Sequence, residues 1–358
     1  MNYNDEKLIV NPHLKFIQIN SNEILIKHSG KSIYSKLLED EGKKGIISKV
    51  FDNFRKPLSI NEYFVLEKIE IKDDREEIID FIKYCENNNI IIKSDSDPIF
   101  AYYKLLIGKT EKNINDLVIG IIGGGILGSR IIKNLSALGV EKFIVLDDRI
   151  IENENIESKF FEYKKICKNQ KYTELARENF EEVVECFDDY NSDNLEKTVI
   201  KCDFLICAQD FLKSTIFHRL NLICIEKNKP WVMAYIDGSE CCAGPIFVPG
   251  ETCCFNEFEI QNDAAFPATI RKDYSLYREY LDDNKNKDSF LILPPYSDIL
   301  SGILSTEIFK FLISSKSVLI NSCIKLELEN MDFDLVTILR LPRCPACEKH
   351  DGFKNMFL

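Results

Sequence analysis

The sequence predicts an α/β protein in which a small domain precedes a larger one with a mainly parallel sheet. Two observations carry this prediction. After residue 115, apolar strands alternate with helical segments, and the glycine-rich turn at 123–128 joins the first of those strands to a helix. The first 95 residues instead combine short alternating strands with three helical stretches, which favours a separate winged-helix-like domain at 1–95.

The first domain offers a place for an extended peptide. A groove between a strand and an amphipathic helix suits an added strand, and we expect the exposed edge at 23–33 and the apolar face of helix 74–87 to form it. The alternative is that these side chains pack the core. That helix begins with acidic residues, which would repel nucleic acid. The predicted peptide contacts are Ile24, Ile26, Ile78, Ile79 and Ile82.

The rest of the chain is divided by composition. We expect a polar, proline-containing linker at 96–114, the larger domain at 115–348, and a tail at 349–358. Charge and prolines make 255–295 a long loop, and loops of that length are usually functional or mobile. Strands are predicted at 118–122, 142–147, 202–208, 231–235, 323–329 and 334–340, and helices at 128–138, about 170–185, 211–227 and about 298–313.

Composition excludes several classes of function. The 358 residues are 45% hydrophobic, enough for more than one core, and carry a net charge of −12, which argues against nucleic acid as a partner. No apolar run is long enough to cross a membrane, and the first residues lack a secretion signal, so we expect a cytoplasmic protein. Most of the thirteen cysteines lie in apolar runs and are interpreted as core residues.

The glycine turn predicts a nucleotide site. An apolar strand, glycines, a helix and a second strand that ends at Asp147 form a Rossmann-type βαβ unit. The glycines let the backbone turn tightly, so that phosphates can approach the amides at the helix N-terminus. The residues expected there are Gly123, Gly125, Gly128 and Asp147.

These features, together with 202–210, 244–250 and the terminal Cys344-x-x-Cys347, resemble the ThiF/MoeB/MccB superfamily of ubiquitin-activating-enzyme-like proteins over about 100–348. The resemblance implies a ThiF-type Rossmann fold, Mg-ATP as cofactor, an acyl-adenylate product and, in many members, structural zinc. Asp210 matches the aspartate that places magnesium and is the catalytic candidate if the domain is active. Relatives usually dimerise, so a homodimer is one expectation.

Several positions depart from the superfamily pattern. Ile126 replaces a glycine, Arg149 follows Asp147 where a second aspartate is expected, and Ser158 replaces the arginine that would neutralise phosphates. Lys168 or Lys171 is left to serve as the lysine, and we assign Lys171. The departures indicate weak or vestigial nucleotide binding and lost adenylation.

The implied zinc site is also altered. Cys344 and Cys347 keep the ligand spacing and Cys254 matches the first cysteine of the upstream pair, while its second position holds Glu257. Because tetrahedral zinc needs four donors, the fourth would be Glu257 or the adjacent Cys253. The alternative is a set of reduced, unligated thiols.

Taken together, the two domains resemble the leader-peptide-binding cyclodehydratase "C" and ocin-ThiF-like proteins of thiazole/oxazole-modified microcin biosynthesis, of the streptolysin S type. In that family the N-terminal domain is a RiPP recognition element that captures the leader of a bacteriocin precursor, and a separate YcaO protein cyclises the core peptide with ATP. The resemblance therefore implies a partner subunit that is not catalytic by itself. Two alternatives stay open: an active MccB-like adenylating enzyme that acts on a peptide carboxylate, and an inert assembly scaffold.

Overall fold

The computed structural model divides into two compact units, 1–111 and 112–358, which are described separately. Its described residues are 3–20, 22–31, 34–108, 114–152, 166–210, 212, 214–265, 268–282 and 292–348. Within them, no helix is long and apolar enough to cross a membrane.

The first unit contains two small antiparallel sheets and four helices. One sheet has the order β5-β1-β6, and the other has the order β2-β3-β4. This mixture of strands and helices is compatible with a winged-helix-like domain. The strands are β1 (Lys7–Val10), β2 (Lys15–Gln18), β3 (Glu23–Lys27), β4 (Ser35–Glu39), β5 (Leu58–Ser59) and β6 (Ile91–Lys93), and the helices are α1 (Ile46–Asn53), α2 (Ile60–Leu66), α3 (Lys72–Asn87) and α4 (Pro98–Ile107).

The segment predicted as a linker, 96–114, contains helix α4, and its residues 109–113 lie outside the described residues. Helix α4 starts where the Asp97 side chain accepts from the Ile99 amide, with Pro98 in the first turn, as a helix N-terminus favours. Leu105 on this helix belongs to the core of the first unit. The prediction missed it because the preceding polar run was interpreted as continuing, whereas that run only caps the helix.

The second unit is built on an eight-stranded, mainly parallel sheet, as predicted. Its order is β14-β13-β12-β11-β10-β7-β8-β9. Strands β11, β10, β7, β8 and β9 are parallel, and β12 to β14 continue the sheet with antiparallel pairs. The strands are β7 (Val118–Ile122), β8 (Lys142–Leu146), β9 (Val183–Phe187), β10 (Phe204–Gln209), β11 (Trp231–Asp237), β12 (Glu240–Phe247), β13 (Ser322–Glu327) and β14 (Asp332–Thr337).

Helices connect and cover these strands. The fully buried residues of β10 show why the central strands have continuous apolar runs, since both faces of a parallel sheet are covered. The helices are α5 (Ile126–Ala137), α6 (Tyr172–Asn179), α7 (Ser192–Lys201), α8 (Ser214–Lys227), α9 (Phe255–Ala265), α10 (Ala268–Asp282) and α11 (Pro294–Ser314).

Two predicted segments of this unit were wrong. The segment 255–295, predicted as a loop, contains helices α9 and α10 and the start of α11, with 283–291 outside the described residues. Several of its described charged residues lie on helices rather than in a loop: Arg278 on α10 pairs with Glu259 and Asp263 of α9. The helix predicted at about 170–185 ends at Asn179 and is followed by β9 and α7. The prediction missed β9 because this edge strand has a mixed polar and apolar pattern.

Candidate functional site

The glycine turn brings strand β7 into contact with the start of helix α5. Gly123 has a φ of 104°, and a Cβ there would lie 2.0 Å from the Ala208 carbonyl oxygen. A Cβ on Gly128 would lie 1.9 Å from the Gly123 carbonyl oxygen. Both positions therefore require glycine, one for its conformation and both for the close approach of the backbone.

The anion-binding position of this turn is filled from within the chain. The Ile126 and Leu127 amides, in the first turn of α5, donate to the two carboxylate oxygens of Asp210 at 3.1 and 2.9 Å. The Gly124 amide donates to Asp147 Oδ2 at 2.7 Å. A helix N-terminus attracts negative charge, and here that charge is a buried side chain.

Arg149 joins the two aspartates. Its guanidinium donates from Nε to Asp147 Oδ1 at 2.9 Å, from Nη2 to Asp147 Oδ2 at 2.7 Å and from Nη1 to Asp210 Oδ2 at 2.8 Å. The guanidinium carbon also lies 4.7 Å from the centre of the Tyr172 ring. This planar, bidentate arrangement is one that arginine makes and lysine does not.

The two carboxylates keep the Arg149 side chain charged. Burial alone would lower the pKa of Arg149, but the carboxylates of Asp147 and Asp210 outweigh it and hold that pKa well above its ordinary value. The Asp147 side chain is fully buried and that of Asp210 is 4% exposed. The guanidinium thus provides a permanent internal counter-charge for both acids. We call Asp147, Arg149 and Asp210 the arginine clasp.

The other predicted nucleotide residues are placed differently. A Cβ on Gly125 would lie 1.7 Å from Asp210 Oδ2 and 2.5 Å from Arg149 Nη2, so the clasp fills the space over this glycine. Lys171 pairs with Asp188 at 2.6 Å on the surface. Ser158, which stands where the superfamily has an arginine, lies outside the described residues. The sequence analysis identified Arg149 only as a residue that replaces an expected aspartate. It did not predict that Arg149 pairs with Asp147 and Asp210.

The four predicted metal ligands lie together. One ligand atom from each of Cys254, Glu257, Cys344 and Cys347 falls within 4.8 Å of all the others, and the Cys254 and Cys344 sulfurs are 3.6 Å apart. Three thiols and a carboxylate suit tetrahedral zinc. Cys253, the alternative fourth ligand, is instead buried in the hydrophobic core. Burial raises the pKa of Cys254 to about 11, so this thiol is protonated unless a metal binds.

Glu257 also connects the two cysteine segments. Its carboxylate accepts from the Cys254 amide at 2.8 Å and from the Leu341 amide at 2.7 Å, and the residue is 1% exposed. Because each carboxylate oxygen can accept more than one contact, these bonds leave room for metal coordination. The two hydrogen bonds orient the carboxylate toward the sulfurs, as supporting contacts around metal ligands do.

The predicted peptide contacts lie elsewhere than expected. Ile24, Ile26, Ile78 and Ile82 are in the core of the first unit, and Ile79 is partly buried against it. Strand β3, which contains the first five residues of the predicted edge 23–33, is the central strand and pairs with both β2 and β4. The predicted edge is therefore not open at β3, and the alternative that these isoleucines pack the core holds for them. The alternating burial of β3 fits a central strand with one buried face.

The open edge beside α3 is that of β4. In the part of the chain that the structure describes, β4 pairs with β3 only. Lys36 on β4 donates to the side chain of Asn88, which caps α3, and its ammonium lies 5.6 Å from the centre of the Tyr84 ring. Leu38 packs against the core, whereas Tyr84 is 43% exposed. We call the β4 edge and this face of α3 the β4 groove.

Comparisons with known proteins agree with this architecture. Residues 102–348 match the ThiF family. Escherichia coli MccB with ATP is similar, with a TM-score of 0.64, 19% identity, and coverage of 96% of this chain and 100% of that one. MccB in complex with N-formylated MccA is similar with a TM-score of 0.64 and 18% identity, and the match covers 96% of this chain and 100% of that one. The heterocyclase TruD gives 0.63 and 12% identity, and the match spans 96% of this chain and 43% of TruD. A search of curated proteins gives no match.

Proposed function

Because the chain belongs to the ThiF family, we propose that it is a partner subunit of an azoline-forming cyclodehydratase that works on a ribosomal peptide. In this proposal the first unit binds the leader of the precursor. A separate YcaO-type protein uses ATP to cyclise residues of the core peptide. The similarity of the fold to MccB, whose structures include complexes with MccA, and to the heterocyclase TruD supports a role in peptide modification.

The arginine clasp is the observation that carries this proposal. An adenylating site needs its aspartate to place a magnesium ion and needs cations directed at the triphosphate. Here Asp210 accepts two helix amides and the Arg149 guanidinium at once. Magnesium would have to displace a bound cation from a buried carboxylate. Among the described residues, the chain therefore retains the glycine turn of a nucleotide site, while its two aspartates are already paired with Arg149.

The β4 groove supplies the surface for the leader. An extended peptide can pair with the unpaired amides and carbonyls of β4 while its side chains contact Tyr84 on α3. Such pairing supplies affinity through the main chain, and the groove side chains supply specificity. Holding the leader raises the effective concentration of the core peptide at the partner's active site, so no catalytic side chain is needed in this chain.

A second function is favoured by one observation. The MccB structures are matched along nearly their whole length, and Asp147 and Asp210 are retained, as an adenylating enzyme would require. This candidate needs Arg149 to leave both carboxylates when nucleotide binds. An inert scaffold, the third candidate, would bind no leader peptide.

Substitution in the β4 groove tests the proposed function. The proposal predicts a neighbouring gene for a short Cys/Ser/Thr-rich precursor, and the probe is a fluorescent synthetic copy of the leader of that precursor. Binding is followed by fluorescence anisotropy without ATP. Tyr84→Ala should weaken binding about tenfold or more, since aromatic groove residues often dominate such interfaces. Tyr280→Ala is the matched control because Tyr280 has a similar exposure, 45% against 43%. Equal binding by both variants, or no binding by the unaltered chain, would contradict the proposal.

A further inference from the structure

A cavity of about 290 Å³ lies on the sheet of the second unit, and none of its lining residues belongs to the arginine clasp or the cysteine cluster. Strands β11 to β14 supply most of its lining, and Asn262 of α9 and Tyr274 of α10 complete it together with Leu212. Its size is at the small end for a ligand pocket and suits one or two side chains. The function proposed above does not use this cavity.

Four carboxylates cross the floor of the cavity in a single row. Asp237 lies opposite Glu240, Glu240 opposite Glu327, and Glu327 opposite Asp332, and all four line the cavity. Residues directly opposite on antiparallel strands point to the same face with their Cβ atoms about 5 Å apart. Like charges in such pairs destabilise a sheet. Part of the row has hydrogen-bond partners: Asp237 accepts from the Tyr277 hydroxyl at 2.5 Å, and Glu327 accepts from the Asn330 amide at 3.0 Å. These neutral donors bring no positive charge to the row.

Little positive charge offsets this row. Among the described residues that line the cavity, Lys325 is the only cation, and its ammonium donates to Asn262 Oδ1 at 2.5 Å. The guanidinium carbon of Arg278 lies 5.7 Å from the centre of the Tyr274 ring. Its charge is paired with Glu259 and Asp263, which do not line the cavity. Burial raises the pKa of Asp237, and burial followed by the charge of Asp237 raises the pKa of Glu240. The cavity thus favours a positively charged occupant.

The spacing of the carboxylates argues against a metal ion. In the part of the chain that the structure describes, the cysteine cluster is the only group of three or more such ligands within 4.8 Å of one another. Neighbouring strands are about 4.8 Å apart, so a row across four strands extends over about 14 Å. Spread charges of this kind match an extended organic cation. The rings of Tyr235 and Tyr274 provide the aromatic walls that cationic side chains favour.

We propose that this cavity binds Lys or Arg side chains of the peptide that the protein handles. The proposal rests on the peptide-binding function proposed above and adds a chemical preference to it. The row of acids selects basic residues, the tyrosines contact their aliphatic stems, and the repulsion within the row is relieved when the cation binds.

The test compares two synthetic peptides on the full chain by isothermal titration calorimetry. One is acetyl-Gly-Lys-Gly-Lys-Gly-amide, and the other has norleucine at both lysine positions. The lysine peptide should bind and the norleucine peptide should bind at least about tenfold more weakly, because it lacks the charge that the carboxylates attract. Equal affinities would overturn the proposal. Tighter binding of free spermidine than of the lysine peptide would overturn the assignment to a peptide.

A double variant locates the site. Asp237→Asn with Glu240→Gln should lose the preference for lysine and yet unfold at an equal or higher urea concentration, since it removes repulsion. Glu226→Gln with Glu251→Gln changes the net charge equally outside the cavity and should bind as the unaltered chain does. Equal weakening in both double variants would show general attraction to an acidic protein and overturn the proposal. These peptides contain no leader, so their failure leaves the Tyr84 test of leader binding unaffected.

Discussion

Arg149 Nη1 lies 2.8 Å from Asp210 Oδ2, and the same guanidinium makes two further bonds to Asp147. One cation thereby pairs with both acids that the resemblance assigns to ribose and magnesium. The glycine turn and the helix dipole remain, but their negative partner is supplied by the protein. The glycine turn here holds an ion cluster made entirely of the protein's own side chains.

Removal of the arginine should destabilise the protein and create a magnesium site. Arg149→Met leaves two buried carboxylates without a counter-charge, and we expect the free energy of unfolding to fall by about 3 kcal/mol in urea titrations. Added Mg²⁺ should recover part of that loss. Arg55→Met, which removes an exposed ion pair with Asp52, should change stability by less than about 1 kcal/mol. A similar loss in both variants would contradict the role of the clasp.

The pH dependence of the clasp has a definite sign. The folded-state pKa of Arg149 is raised above its unfolded value, so its contribution is fully present below the unfolded pKa and is lost only as pH rises through the folded one. The difference in unfolding free energy between the unaltered chain and Arg149→Met should therefore not decline between neutral and mildly alkaline pH. A benefit that disappears on moving from neutral to mildly alkaline pH would show that Arg149 is not the stabilising cation.

Two glycine substitutions should have opposite signs. Gly128→Ala places a methyl group 1.9 Å from the Gly123 carbonyl oxygen, so β7 and α5 must separate, and we expect a loss of more than about 2 kcal/mol. Gly302→Ala, in helix α11 with open space around it, should stabilise the protein by about 0.5 to 1 kcal/mol. Both values come from chemical denaturation. Equal effects would show that the close contact at the glycine turn is not required.

Zinc should bind at the cysteine cluster and stabilise the second unit. Cys344→Ser should remove one equivalent of metal measured by elemental analysis, whereas Cys253→Ser should retain it because Cys253 is a core residue. Glu257→Gln should lower the affinity for zinc, because it leaves the three thiolates and removes the carboxylate ligand. Since the ligands release protons on binding, affinity should rise with pH. Full metal content in Cys344→Ser would contradict the assignment.

The parts of the fold that the sequence predicted best are those with strong local signals. The continuous apolar runs of β7, β8 and β10 and the glycine turn are diagnostic. The spacing of Cys344 and Cys347, together with the superfamily resemblance for Cys254 and Glu257, predicted the four residues that meet in the structure. The capping box that Ser59 and Glu62 form at the start of α2 is a local signal of the same kind. Each of these depends on residues close in sequence or on a motif with a physical requirement.

What the sequence did not predict depends on tertiary context. The charged helix α9 has little periodicity of its own, and the ion pairs between α9 and α10 form only once the two helices meet. The position of β3 between β2 and β4 could not be inferred from its alternation, since a central strand with one covered face alternates as well. Arg149 resembled an ordinary departure from a motif until its distances to two separate strand ends were known.

The most direct test of the account measures leader binding and ATP chemistry on the same purified chain. The account predicts that the labelled leader binds without ATP and that the chain catalyses no exchange of pyrophosphate into ATP, with or without the peptide. ATP-pyrophosphate exchange that depends on the peptide, together with no leader binding in the absence of ATP, would contradict it and establish an adenylating enzyme.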